Sequence, residues 1–239
     1  PRLVLVEGAA GSGKSAVVRH FLASLANTAE VMTAACHDTA SRAEPGRPLL
    51  DALDRAITTD PDSVLPSLRR SAPTWLTQLP WRLGPDAPAQ GPATVSTTRP
   101  QLLRELVRFV GERGAQRPLT LFVDDVHWAD PTTLDALEAL LVTMHSDYAA
   151  GPPRVLIIVA HRPVSGHRTG DLFAAWLRRL AGRTLSVQMG PLDERAVATL
   201  AENRLGAPLP AAVVEQLTRW TNGNPMHVLA ALDLAALDQ

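Results

Sequence analysis

Apolar residues fall into two rhythms along this chain. Short continuous runs, Leu3-Val4-Leu5-Val6, Leu119-Thr120-Leu121-Phe122-Val123 and Val155 to Ala160, read as strands buried on both faces, and Glu30 to Cys36 and Leu185 to Met189 read as two more. Between them apolar positions recur at helical spacing. Val17, Val18, Phe21, Leu22 and Leu25 mark a helix over Ala16 to Ala26, and Leu102, Leu103, Leu106, Val107 and Val110 mark one from Gln101 to near Gly114. Asp130 caps a third, with Pro131 in its first turn and Leu134, Leu137, Leu140, Leu141 and Met144 on its buried face; Leu172 to Leu180 is a fourth. Strands alternating with helices predict an α/β fold, a doubly wound parallel sheet of five strands with its ligand at their carboxyl ends.

Two regions break this rhythm. His37 to Pro100 is rich in proline and carries only short helical pieces, Leu49 to Thr58 and Ser63 to Leu68, before a tryptophan-bearing stretch, Trp75 to Trp81, whose tryptophans and prolines read as packing. Pro85 to Pro100 reads as a loop or linker, because Pro, Gly, Ala and Thr dominate it without periodicity. From Leu192 onward the strands stop. Asp193 caps a helix, with Leu192 and Val197 as a hydrophobic staple and Gly206 as its end. Pro210 opens another, bearing Val213, Val214, Leu217 and Trp220, and a last helix starts at Asn222-Gly223-Asn224-Pro225. The expected organisation is a core over residues 1–190, with 37–100 as a partly helical insertion, and a truncated helical lid over 191–239. No fixed-period repeat is present.

Composition narrows the function classes. The 239 residues carry a formal net charge of −1, which gives no bulk argument for nucleic-acid or membrane binding. The single cysteine, Cys36, permits no internal disulfide and reads as a small buried residue at a strand end. With neither a signal sequence nor an apolar run of membrane-spanning length, the chain is expected to be cytoplasmic.

Chemistry concentrates at the only lysine among 23 basic residues. Lys14 lies in Gly8-Ala9-Ala10-Gly11-Ser12-Gly13-Lys14-Ser15, a full match to the phosphate-binding pattern G-x-x-x-x-G-K-[ST]. An ammonium is a compact point charge suited to the β- and γ-phosphates of a nucleotide, whereas arginine is a broad fork. The order strand, glycine loop, helix lets backbone N–H groups from Gly8 to Ala16 converge on phosphate oxygens. The Ser15 hydroxyl is the expected magnesium ligand from the loop. At the end of a buried strand, Asp124 and Asp125 form a second feature: one acid to hold magnesium, usually through water, and the other to orient or activate attacking water. The bland alternative is a turn with a helix cap. Assigning the metal to Asp124 and the water to Asp125 is a finer step than assigning the pair. Asp130 reads as a structural cap, Trp128 as packing and His127 as a structural hydrogen-bonding group. Arg162 follows a strand that can lie between those ending at Lys14 and Asp124. It is either a contact to the γ-phosphate or a solvated surface arginine.

Val123-Asp124-Asp125-Val126-His127-Trp128-Ala129-Asp130-Pro131, taken with the phosphate loop before it and Ala160-His161-Arg162 and Gly223-Asn224-Pro225 after it, resembles one family. It is similar to the nucleotide-binding module of STAND-type signal-transduction ATPases, the AAA-like P-loop NTPase domain of large LuxR-type and SARP-type transcriptional activators. The resemblance implies an ATP/ADP switch with slow, magnesium-dependent hydrolysis. It implies Gly8 to Ser15 as the Walker A loop, Asp124 and Asp125 as Walker B acids, Arg162 as a sensor, and Pro225 as the proline of a G-x-P motif that packs near adenine and couples lid position to nucleotide. It further implies partner domains of a parent regulator, an ATP-dependent homo-oligomer, and neither nucleic-acid nor membrane binding by this segment. A glycine-arginine segment that such families carry ahead of the first strand is not within this sequence, nor are winged-helix, repeat-sensor or DNA-binding segments, which suggests an excised core. Two other functions remain open from the residues: a kinase passing the γ-phosphoryl group to a small molecule, for which Arg69 and Arg70 are candidate phosphate-gripping residues, and a nucleotide-locked scaffold with negligible turnover.

Overall fold

The computed structural model describes residues 2–25, 27–38, 44–82, 98–143, 152–163 and 170–237. Five strands, β1 (Arg2–Glu7), β2 (Glu30–Ala35), β3 (Leu119–Asp124), β4 (Val155–His161) and β5 (Thr184–Gln188), make one sheet in the order β2-β3-β4-β1-β5. All four pairings are parallel, with Leu5 opposite Val159 and Val123 opposite the same residue. Parallel neighbours need long crossovers, and helices supply them. The central strands β3 and β4 carry the continuous apolar runs because both of their faces are covered.

One face is covered by α1 (Lys14–Ser24), whose Val18 and Leu22 pack on Val6, Phe122, Ile158 and Ala160. Val17 and Phe21, expected on the same apolar face, are 52% and 42% exposed. The helix meets the sheet along a narrow i, i+4 stripe, so each residue just before that stripe is rotated about 100° away from it.

The opposite face carries α2 (Arg47–Thr59), α3 (Pro61–Ser71), α4 (Pro73–Thr77), a 3-10 turn at Pro80–Arg82, α5 (Arg99–Gln116), α6 (Pro131–Thr143) and α7 (Gly170–Arg179). Leu53, Ile57, Val64, Leu68, Trp75 and Leu79 from the proline-rich stretch join Phe109, Leu137, Leu140 and Trp176 in the main core. Prolines occupy the first turn of α2, α3, α4 and α5, where no backbone N–H is needed, so they start helices and do not mark loops. Trp75 donates through Nε1 to the Leu102 carbonyl at 2.8 Å, and Trp176 to that of Leu134 at 3.0 Å, which lets both rings be buried without an orphaned donor. Trp81 departs from the packing expectation: it is 60% exposed and donates to Asp54. Residues 85–97 of the expected linker, and Met144, lie outside the described residues. Helix α5 begins at Arg99, so Arg99 and Pro100 belong to it.

Beyond β5, α8 (Glu194–Leu205), α9 (Ala211–Thr221) and α10 (Pro225–Leu237) pack around their own cluster of Val197, Ala201, Val214, Leu217, Val228 and Leu232. Asp193 caps α8 by accepting from Ala196 N at 2.8 Å, and Gly206 ends it in the left-handed conformation. On α9 the buried stripe is Val214, Leu217 and Thr221, while Val213 and Trp220 face outward. Gly223, at φ 63°, lies so close to the β5–α8 link that a Cβ there would sit 2.3 Å from the Leu192 carbonyl oxygen. Its own carbonyl accepts from Leu192 N at 2.8 Å.

Candidate functional site

The six residues between β1 and α1, Gly8 to Gly13, form a tight loop in which Gly11 and Gly13 adopt φ of 75° and 89°. Four successive carbonyls of that loop each meet a donor. Lys14 Nζ donates to the Gly8 and Ala9 carbonyls at 3.0 and 2.9 Å, Asn224 Nδ2 to Ala10 at 2.8 Å, and Met226 N to Gly11 at 3.2 Å. A trans peptide sets its N–H opposite its C=O, so fixing these carbonyls also fixes the direction of the N–H groups that follow them. Next, α1 opens with Lys14, Ser15 and Ala16, ahead of the first helical bond from Val17 N to the Gly13 carbonyl at 3.0 Å. Helix starts of this kind present free N–H groups and the positive end of the dipole to an anion.

Strand β4 lies between β1 and β3, and this arrangement sets the Asp124-Asp125 strand end beyond Arg162 from the loop. Gly8 N donates to the His161 carbonyl at 3.2 Å, which ties the loop to the end of β4. Asp124 is the last residue of β3, and its Oδ1 accepts from Asp125 N at 3.1 Å. Asp125 itself sits at φ 51°, an uncommon conformation for a side-chain-bearing residue. Burial, and then the neighbouring Asp124, push the Asp125 carboxyl above its ordinary range, against the pull of Arg162 and Lys14. Burial lowers the Lys14 ammonium, with Asp125 opposing. Desolvation disfavours both charges, while each partly restores the other.

Gly11, Gly13, Lys14, Ser15, Ala16, Asp125, Arg162 and Pro225 line one cavity of about 560 Å³, together with Ala10, Arg19, Met226, Leu229, Ala230 and Asp233. Gly8 and Ser12 are buried beneath it, and Ala9 is exposed at the loop. Of the two expected magnesium ligands, Ser15 lines this cavity and Asp124, one residue before Asp125, does not; both are oxygen donors of the hard chemistry that magnesium takes beside nucleotide oxygens and water. Among the described residues no group of three or more His, Cys, Asp or Glu side chains stands ready to hold a metal alone. Asp130 lies apart from this chemistry. Its Oδ1 accepts from Thr132 N, Thr133 N and Gly46 N at 2.8, 3.1 and 3.0 Å, capping α6 and fastening the turn before α2. His127 is 2% exposed, with Nδ1 3.9 Å from Asp125 Oδ1, and Trp128 packs against the main core. Asn224 is the residue that sequence reasoning overlooked. Its only signal was local: an Asn before Pro at a helix start is a helix cap, and its Oδ1 accepts from Met226 N at 3.0 Å.

Residues 1–158 match the family model described as AAA ATPase domain. No protein of curated function matches the sequence. Among solved structures, the fold is similar to the Walker-type ATPase of Pyrococcus abyssi, with TM-score 0.56, 18% identity, and 95% of this chain and 60% of that one covered. It is also similar to the ORC2 protein of Aeropyrum pernix in its ADP form, with TM-score 0.59, 14% identity, and coverage of 98% and 57%. Cdc6p of Pyrobaculum aerophilum gives TM-score 0.57, 16% identity, and coverage of 98% and 54%. The chain thus spans 54% to 60% of the length of these three, and at such identities the likeness is one of fold. No helix among the described residues is long and apolar enough to cross a membrane. The family model matches more than half of the chain, residues 1–158 with the phosphate loop and strands β1 to β3, and shows that the chain belongs to the AAA ATPase domain family, a nucleotide-binding ATPase domain.

Proposed function

We propose that this domain is an ATP/ADP switch with slow, magnesium-dependent hydrolysis, working inside a larger STAND-type transcriptional regulator of the LuxR or SARP kind. The observation that carries the reading is the meeting of two parts of the chain at one loop: α10 starts on the loop carbonyls while Lys14, Asp125 and Arg162 line the same cavity. A helical unit seated directly on a phosphate loop suits a device whose position depends on the nucleotide.

In this reading Lys14 and the N–H groups up to Ala16 hold the β- and γ-phosphates. Ser15 and Asp124 would hold magnesium, which when bound neutralises charge on the phosphate oxygens. Asp125 accepts a proton from the attacking water as the new O–P bond forms and the bond from the γ-phosphorus to the bridging oxygen breaks, leaving ADP and phosphate. The raised carboxyl makes Asp125 a better proton acceptor than an ordinary aspartate. Arg162 senses the γ-phosphate, and Pro225 contributes to lid coupling. Slow turnover is the rate expected of a single copy to which no neighbour supplies an arginine finger. Residues 1–190 then act as the core and 191–239 as the lid, in a cytoplasmic protein whose partners are its own further domains and, with ATP, further copies of itself. The kinase alternative loses support at α3, where Arg70 is held by Glu112 at 3.3 Å on the helical layer over the sheet face opposite α1. Chromatography of nucleotide released from purified protein tests the switch: ADP that stays bound through purification is expected, and exchange within milliseconds contradicts a locked state.

A further inference from the structure

We propose that Asn224 is a positioning residue for the nucleotide site, a side-chain latch that holds α10 on the phosphate loop and slows nucleotide release. The proposal rests on the nucleotide-switch reading and goes further by moving the coupling from Pro225 to its neighbour. Pro225 has no N–H to offer, and its nearest approach to Gly13 is an apolar one, with Cγ 3.9 Å from where a Cβ would stand.

Asn224 does two separable things. Its Oδ1 accepts from Met226 N at 3.0 Å and His227 N at 3.4 Å, which caps α10. Its Nδ2 donates to the Ala10 carbonyl at 2.8 Å, outside its own helix. The cap aims the amide and the amide grips the loop, so α10 cannot leave without freeing the Ala10 carbonyl. Freeing it releases the peptide plane whose N–H belongs to Gly11. Gly11 permits this closeness, because a Cβ there would stand 2.7 Å from Asn224 Oδ1 and 2.6 Å from Met226 Cβ. The same loop is fixed on its other side by Lys14, so one short segment receives both the phosphate-binding cation and the latch.

Side-chain chemistry separates the latch from the cap. Asn224→Ser keeps an oxygen able to cap α10 but is too short to reach Ala10. Asn224→Asp keeps the cap and replaces the donor facing Ala10 by an acceptor, so attraction becomes repulsion. The measurement is dissociation of a fluorescent ADP analogue, with single-turnover hydrolysis and thermal melting followed on the same full-length proteins. Asn224→Ser is expected to release ADP about fivefold faster, the worth of one ordinary hydrogen bond, and Asn224→Asp faster still. Melting of the nucleotide-free protein should stay within a few degrees of wild type. Wild-type release rates in Asn224→Ser would overturn the latch, as would faster release accompanied by an equal loss of turnover and a lowered melting point. A wild-type protein that exchanges ADP within milliseconds would overturn the switch reading, and the variant-to-wild-type ratio would still decide the latch.

Discussion

Lys14 Nζ donates to the carbonyl of Gly8, 3.0 Å away and six positions earlier in the same loop. The lysine therefore shapes the loop as well as charging it. Lys14→Ala should weaken ATP and ADP binding by on the order of a hundredfold or more in a calorimetric titration. Lys14→Arg should fail as well, because a broad guanidinium does not fit where the ammonium meets both the Gly8 and Ala9 carbonyls. Undiminished affinity in either variant would remove the loop from the site.

Asp125→Asn should keep ATP while slowing hydrolysis by on the order of a hundredfold. The pH dependence gives a second handle. The folded carboxyl is raised above 3.8, so the wild-type rate should fall on acidification through a limb above that value, and this limb should vanish in the variant. The sign for stability follows from the same shift. Just above pH 3.8 the folded state binds more protons at Asp125 than the unfolded state, so this residue lowers stability as pH rises through that window, and Asp125→Asn should flatten the slope.

Cys36 offers a probe beside the acids. It is 2% exposed, its N–H donates to the Asp124 carbonyl at 2.9 Å, and burial pushes its thiol up to about 12 from 9.0. At pH 8 the thiolate fraction falls from about one in ten to about one in ten thousand, so alkylation of the folded protein should be about a thousandfold slower than that of the unfolded chain. Rapid labelling of native protein would show that the ends of β2 and β3 open readily. Between about pH 9 and 12 the unfolded chain loses this proton first, so stability should fall with rising pH there.

Gly223→Ala places a methyl group 2.3 Å from the Leu192 carbonyl oxygen at a backbone φ of 63°. Both the contact and the left-handed conformation oppose it, and the expected cost is roughly 2 kcal/mol in denaturant unfolding. If the substitution leaves stability unchanged, the close seating of the α9–α10 turn on the β5–α8 link is wrong.

Strands β3 and β4 were legible because a parallel sheet covered on both faces demands unbroken apolar runs such as Val155 to Ala160, and the Lys14 loop because its pattern is local; β5, at the sheet edge, leaves Leu185 and Val187 exposed. The helical layer from Arg47 to Thr77 was hard to read, since proline inside a short segment looks like a loop until its place in the first helical turn is known. Adjacent apolar pairs defeated the face assignment on α1: periodicity accepts Val17 and Val18 equally, and only the neighbouring sheet decides that Val18 is the buried one. Asn224 was beyond reach, because its bond to Ala10 joins residues 214 positions apart, and no local pattern carries such a pairing.

The central claim, that this site hydrolyses ATP as a slow switch, is tested most directly by phosphate release from ATP in the absence of any acceptor, in single-turnover and steady-state form. The account predicts slow, magnesium-dependent release that Asp125→Asn suppresses. No release, together with transfer of the γ-phosphoryl group to an added metabolite, would contradict it.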